Sequence, residues 1–246
     1  SFEAKSLSII LPVGISFYTF QTISYSIDIY KKKIKPSDDF ISFVAFVSFF
    51  PQLVAGPIER AANLLPQFHK KRIFSYEIAS DGMRQILWGL FKKIVIADNC
   101  AVFVNEIFAN YSDYSSSTLF LGAVFFAFQI YGDFSGYSDM AIGIAKLFGF
   151  HLMQNFSFPY FSRDIAEFWR RWHISLSTWF RDYVYIPLGG SRVSEIKKIR
   201  NIFIIFIVSG FWHGANWTFI IWGLLNAVYF LPLMFLNKNR DNLNVI

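Results

Sequence analysis

The chain has 246 residues, of which 54% are hydrophobic, 20% aromatic and only 16% charged, against roughly 25% charged in an ordinary soluble domain. Its 31 phenylalanines gather in long apolar runs separated by short basic stretches, which excludes an ordinary water-soluble core and reads as a set of membrane helices. The net charge of +6 lies beside those runs, where anionic headgroups and cytoplasmic orientation account for it; no basic helix or aromatic sheet motif stands apart to bind nucleic acid.

The first apolar run, Leu7 to Ile27, is long enough to cross a bilayer and carries Pro12 and Gly14. Lys31, Lys32, Lys33 and Lys35 follow, which places that end in the cytoplasm. The chain begins at Ser1 with no cleavage site after the first run, so no secretory signal is read, and a piece of a longer chain is expected. A second run, Phe40 to Ala55, contains Pro51 and is flanked by positive charge on both sides, so a re-entrant or tilted element is expected. The third, Ile86 to Val104, is interrupted by Lys92, Lys93 and Asp98, which either snorkel to an interface or pack against protein.

Leu119 to Phe150 is too long for one untilted span, and its middle holds Gly132, Asp133, Ser135, Gly136, Tyr137, Ser138 and Asp139. A broken helix lining a cavity is expected there. From Pro159 to Arg200 the chain is basic and aromatic together, the mixture of an interfacial helix, and Pro187-Leu188-Gly189-Gly190 ends it. Two apolar runs, Ile199 to Phe211 and Trp217 to Leu236, close the chain, with His213 and Asn216 at their join and a polar, fraying tail after Asn237. The expected fold is all-α, one polytopic membrane domain over residues 1–246.

An imidazole between two such runs is costly to charge, so a neutral His213 in a protein-lined site is expected, the form a general base requires. The plainer reading is a histidine bonded between helices. Gly210 and Gly214 share a helix face that another helix or a thin substrate can approach, and Asn216 and Trp217 are placed to orient the ring. Around His173, a helix would align Trp169, His173 and Ser177 in one stripe and pair Glu167 with Arg171; an amphipathic surface helix explains this pattern equally. His69 and His151 read as structural or solvent-facing. Asp133 and Asp139 fit a proton relay, helix caps or partners for buried arginines. The single cysteine, Cys100, allows no disulfide, and no zinc spacing, phosphate loop or serine elbow appears, so neither a metal nor a bound cofactor is expected.

Seven stretches in order now carry a resemblance: LPVGISFYTFQ from Leu11, FPQLVAGPI from Phe50, DFSGYSD from Asp133, FWRRWHISLS from Phe168, RDY from Arg181, PLGG from Pro187 and GFWHG from Gly210. The chain resembles the membrane-bound O-acyltransferases, in the branch that includes alginate O-acetylation and teichoic-acid D-alanylation proteins. The resemblance implies a ring of transmembrane helices around a central tunnel, with re-entrant and interfacial helices, in a bacterial inner membrane. It implies His213 as the catalytic residue with His173 beside it. Asp133, Ser135, Trp169, Arg170, Trp212 and Asn216 fall within or beside the matching stretches as candidate substrate contacts.

It also implies an acetyl-CoA or acyl-carrier thioester as donor, a polysaccharide or partner-protein hydroxyl as acceptor, and a periplasmic or extracellular partner protein. Members usually have further membrane segments on both sides of this region. Two rivals from the residues remain: a proton-coupled secondary transporter relaying through Asp133, Asp139 and His213, and a non-catalytic membrane scaffold.

Overall fold

The computed structural model describes residues 14–214 and 216–236, and every regular element among them is helical. Leu7 to Val13 of the first run, Pro12 among them, Ala215 and the tail after Leu236 lie outside the described residues. Two compact units divide the chain, residues 1–152 and 153–246.

In the first unit the helices are α1 (Ile15–Tyr30), α2 (Phe40–Val47), α3 (Ala61–Phe68), α4 (Tyr76–Leu90), α5 (Asp98–Ala109) and α6 (Ser116–Leu147). The sequence caps several of them: Asp39 accepts from the Ile41 and Ser42 amides, Ser75 from Ile78 and Ser115 from Thr118. The second apolar run forms no spanning helix. Eight-residue α2 is about 12 Å long, a 3₁₀ turn follows at Phe50–Gln52, and α3 packs back against α2. Phe49, Phe68 and Phe150 meet here at 4.7 to 5.8 Å between ring centroids, and the Arg72 guanidinium lies over Phe150.

The expected break in the fourth run is absent: α6 is one helix of 32 residues, unbroken through Asp133–Asp139. Its glycines serve close packing instead. A Cβ on Gly136 would come within 2.7 Å of the Gly89 carbonyl oxygen, and one on Gly82 within 2.8 Å of that of Gly143, so the backbones of α4 and α6 nearly touch. The irregularity lies in the neighbouring helix, where Phe91–Ala97 is a π-helical stretch joining α4 to α5. Wider winding there turns both Lys92 and Lys93 toward α6. Lys92 is buried, donates to Ser135 Oγ at 3.0 Å and is ion-paired with Asp139, which also accepts from Gln85 Nε2 at 3.0 Å. Lys93 bridges Asp98 at 2.8 Å and Asp133 at 2.6 Å. Of the two expectations for these lysines, packing against protein holds for Lys92.

In the second unit, α7 (Ile165–Arg171) and α8 (Ile174–Phe180) run into a π-helical turn at Arg181–Tyr185, followed by α9 (Glu195–His213) and α10 (Trp217–Phe235). The single helical stripe expected through Trp169, His173 and Ser177 is corrected: the helix ends at Arg171, Trp172 is extended, and His173 takes a left-handed conformation, φ 43° and ψ 54°. The Glu167–Arg171 pair forms at 2.6 Å, and the Arg163 guanidinium at 3.0 Å from Glu167 holds that carboxyl down at about 2. Gly189 and Gly190 both have positive φ, and the fully buried Asn201 of α9 donates to the carbonyls of Leu188 and Gly190, fixing the turn to the helix. Helices α9 and α10 form a tight pair: a Cβ on Gly210 would collide with the Phe219 carbonyl, and one on Gly223 with that of Phe206.

Two of these helices, α6 and α10, are long and apolar enough to cross a membrane. Their outer faces are apolar; Phe120 is 73% exposed and Trp217 77%.

Candidate active site

Within the second unit a cavity of about 810 Å³ follows α9 along most of its length. Glu195, Lys198, Ile202, Ile205, Phe206, Ser209 and His213 line it, and apart from the neighbours Ile205 and Phe206 they recur three or four residues apart, on one face. From Glu195 to His213 that face extends about 27 Å, so the lining passes from charged side chains, across a middle of Ile202, Ile205 and Phe206, to Ser209 and His213. Residues 166–191 supply further lining, including Trp169, Arg170, His173, Ser177 and Arg181. Some of this charge is paired locally, Lys198 with Glu195 at 2.5 Å and Arg181 with Asp182 at 2.8 Å.

Both histidines singled out in the sequence line this cavity, but their burial is the reverse of the expectation. His173 is 3% exposed, whereas His213 is exposed. Burial holds the His173 imidazole down at about 3, and the charge of a protonated His213 adds to the effect, so His173 is neutral at physiological pH. Trp212 stands beside both rings, 4.8 Å from His213 and 6.3 Å from His173 between centroids. His213 also meets the edge of Trp222 at 5.2 Å and lies over Phe219 at 6.2 Å. Trp222 in turn contacts Trp169 at 5.8 Å, so aromatic contacts link the cavity wall to the imidazole.

The remaining candidates have other partners. Asn216 is the N-cap of α10, accepting from the Thr218 amide at 3.1 Å. Asp133 and Ser135 belong to the first unit, where Lys93 and Lys92 engage them. His151 is tied through its backbone to the Gln67 amide, and His69 caps the end of α3. No cluster suited to a metal ion occurs among the described residues. Sequence reasoning missed Lys198, Ser209 and Trp222. Counting back from His213 in helical steps finds the first two; no comparable signal marks Trp222.

The arrangement offers a neutral buried imidazole and an accessible one on a long, largely apolar cavity with cationic side chains in its lining. Chemically, such a set has the polarity to accept a proton and the length and apolar lining to take an extended amphiphilic molecule.

A family model for the membrane-bound O-acyltransferase family, MBOAT, matches residues 37–242. The chain is 48% identical to a probable alginate O-acetylase of Azotobacter vinelandii over 221 residues, which is 90% of this chain and 44% of that protein. It is 43% identical to a peptidoglycan O-acetyltransferase of Helicobacter pylori over 250 residues, 91% of this chain and 47% of the relative. A teichoic acid D-alanyltransferase of Bacillus subtilis is 29% identical over 239 residues, 92% and 60% of the two chains. The chain therefore spans a little under half the length of the first two relatives. With the family match covering most of its length, the chain belongs to the membrane-bound O-acyltransferase family.

Proposed function

We propose that the protein O-acetylates a bacterial cell-surface or secreted polysaccharide, taking the acetyl group from a thioester, acetyl-CoA or an acyl carrier. The observation that carries this reading is the pair of imidazoles, His213 and His173, on the lining of one cavity. The names of the relatives support the acceptor class, since alginate and peptidoglycan are both glycans.

His213 takes the proton from the acceptor hydroxyl as its oxygen attacks the thioester carbonyl. Collapse of the tetrahedral adduct breaks the C–S bond, and the departing thiolate takes the proton from His213. His173, held neutral, positions or polarises the acyl carbonyl; Trp169 and Arg170 contact the substrates, and Trp212 fixes the two rings. General-base help is worth about 10²- to 10⁴-fold, so alignment of donor with acceptor and exclusion of water supply the rest. Asp133 and Asp139 are ion-paired, which weighs against the relay a transporter needs.

The setting that goes with this reading is a multi-pass inner-membrane protein whose helices ring a tunnel, with re-entrant elements and a periplasmic or extracellular partner receiving the acyl group. The family match crosses the boundary between the two units, which supports one membrane domain. Membranes carrying the full-length protein, incubated with labelled acetyl-CoA, test the proposal. Label is expected as a hydroxylamine-labile ester on polymer or partner protein, and its absence with every thioester donor tried refutes it.

A further inference from the structure

His173 occupies an unusual position: it is a bulky, buried residue in the left-handed region, between two seven-residue helices. That conformation is uncommon outside glycine and persists only where surroundings impose it. His173 is also the N-cap of α8, yet its side chain makes no cap bond there. The first amides of α8 therefore need another acceptor.

Asn155 provides it from 18 residues upstream. Its backbone carbonyl accepts from the Ile174 amide at 2.9 Å, and its side-chain Oδ1 accepts from the Ser175 amide at 3.2 Å and the Ser175 hydroxyl at 2.8 Å. Asn155 and Ser175 are both fully buried. The next two residues extend the hold: the Phe156 ring meets Trp172 edge-on at 5.1 Å, and the Ser157 amide donates to the Arg171 carbonyl at 2.9 Å. Three consecutive residues, 155 to 157, thus grip the chain on both sides of His173.

We infer that Asn155 is a positioning residue for the reaction: it takes over the capping of α8, leaving the His173 imidazole on the cavity lining. The chemistry of the position is restrictive. The side chain must accept two donors at once in a fully buried position without bringing net charge there, which an amide oxygen satisfies. Asp keeps the acceptor but adds charge; Ala or Leu strands buried donors. The consequence for catalysis rests on the acyl-transfer reading above, whereas the placement of the ring does not.

Two readouts on the full-length protein in membranes test this. The first is carbethoxylation by diethyl pyrocarbonate, resolved by mass spectrometry at His69, His151, His173 and His213. In Asn155→Ala the His173 rate is expected to rise about tenfold, the scale of a lost buried hydrogen-bond set, while the other three stay unchanged. An unchanged His173 rate overturns the inference. A rise at all four marks unfolding; Ser175→Ala, which removes one donor, then decides, with a selective rise at His173 expected and no selective rise overturning the assignment.

The second readout is acyl transfer. Asn155→Ala is expected to lower kcat about tenfold with KM within about twofold, and to add nothing in the His173→Ala background. Multiplying losses in the double variant overturn the positioning role. Wild-type transfer by His173→Ala together with selective labelling in Asn155→Ala removes His173 from the chemistry but leaves the hold on its ring standing.

Discussion

The buried ammonium of Lys92 is ion-paired with the carboxylate of Asp139, and the π-helical stretch Phe91–Ala97 is what turns it there. Removing one member of such a pair strands a charge among packed helices. Asp139→Asn is therefore expected to cost about 3–5 kcal/mol, and the double variant Lys92→Met/Asp139→Leu to recover most of that. Thermal unfolding in detergent checks both, and a double variant no more stable than the single one contradicts the account.

His213→Ala is expected to lower acyl transfer by at least about 10²-fold with protein level and melting temperature unchanged. The measurement is ester formation from labelled donor in membranes. Wild-type transfer by a folded variant removes His213 from the mechanism.

The acid limb of stability follows from His173. The unfolded chain binds a proton near pH 6.5, the folded chain only at about 3. The unfolded state thus holds more protons between these values, so the stability is complete above about pH 6.5 and falls by up to about 1.4 kcal/mol per unit as the pH drops toward 3. His173→Gln is expected to show a shallower acid limb in melting temperature against pH; parallel limbs count against this cause.

Gly210→Ala is expected to destabilise the α9–α10 pair by about 1–3 kcal/mol, because its new methyl meets the Phe219 backbone and not a movable side chain. Val208→Ala, at a position 41% exposed on the same helix, serves as the control and is expected to lower stability by less than about 0.5 kcal/mol. Equal melting temperatures for the two variants contradict the close approach.

Much of the cavity lining was legible because several of its residues fall in short motifs. His213, His173, Trp169 and Arg170 were named from the sequence and all line one cavity. Two features of the fold were not legible. A left-handed histidine has no sequence signature, since its conformation is imposed by Asn155 and its neighbours from outside the helix pattern. The Gly-Asp-Ser run of α6 reads as a break because the run exceeds one span and its middle is rich in small and polar residues, whereas those glycines serve close packing against α4, and its carboxylates are satisfied by lysines 40 or more positions away, such as Lys92 with Asp139. Burial also misled: the flanking apolar runs point to His213 as the deeper ring, and the more deeply enclosed imidazole is the one between α7 and α8.

One helix, α9, carries Lys198 and His213 on the same side of its axis. Inserting a single amino acid between them twists the two apart by about 100°, pointing one or the other away from the shared wall. Seven inserted residues restore the phase but lengthen the interval by about 10 Å. Spacing along this helix is thus a ruler, and the reach of whatever molecule touches both ends is written in the number of residues between them.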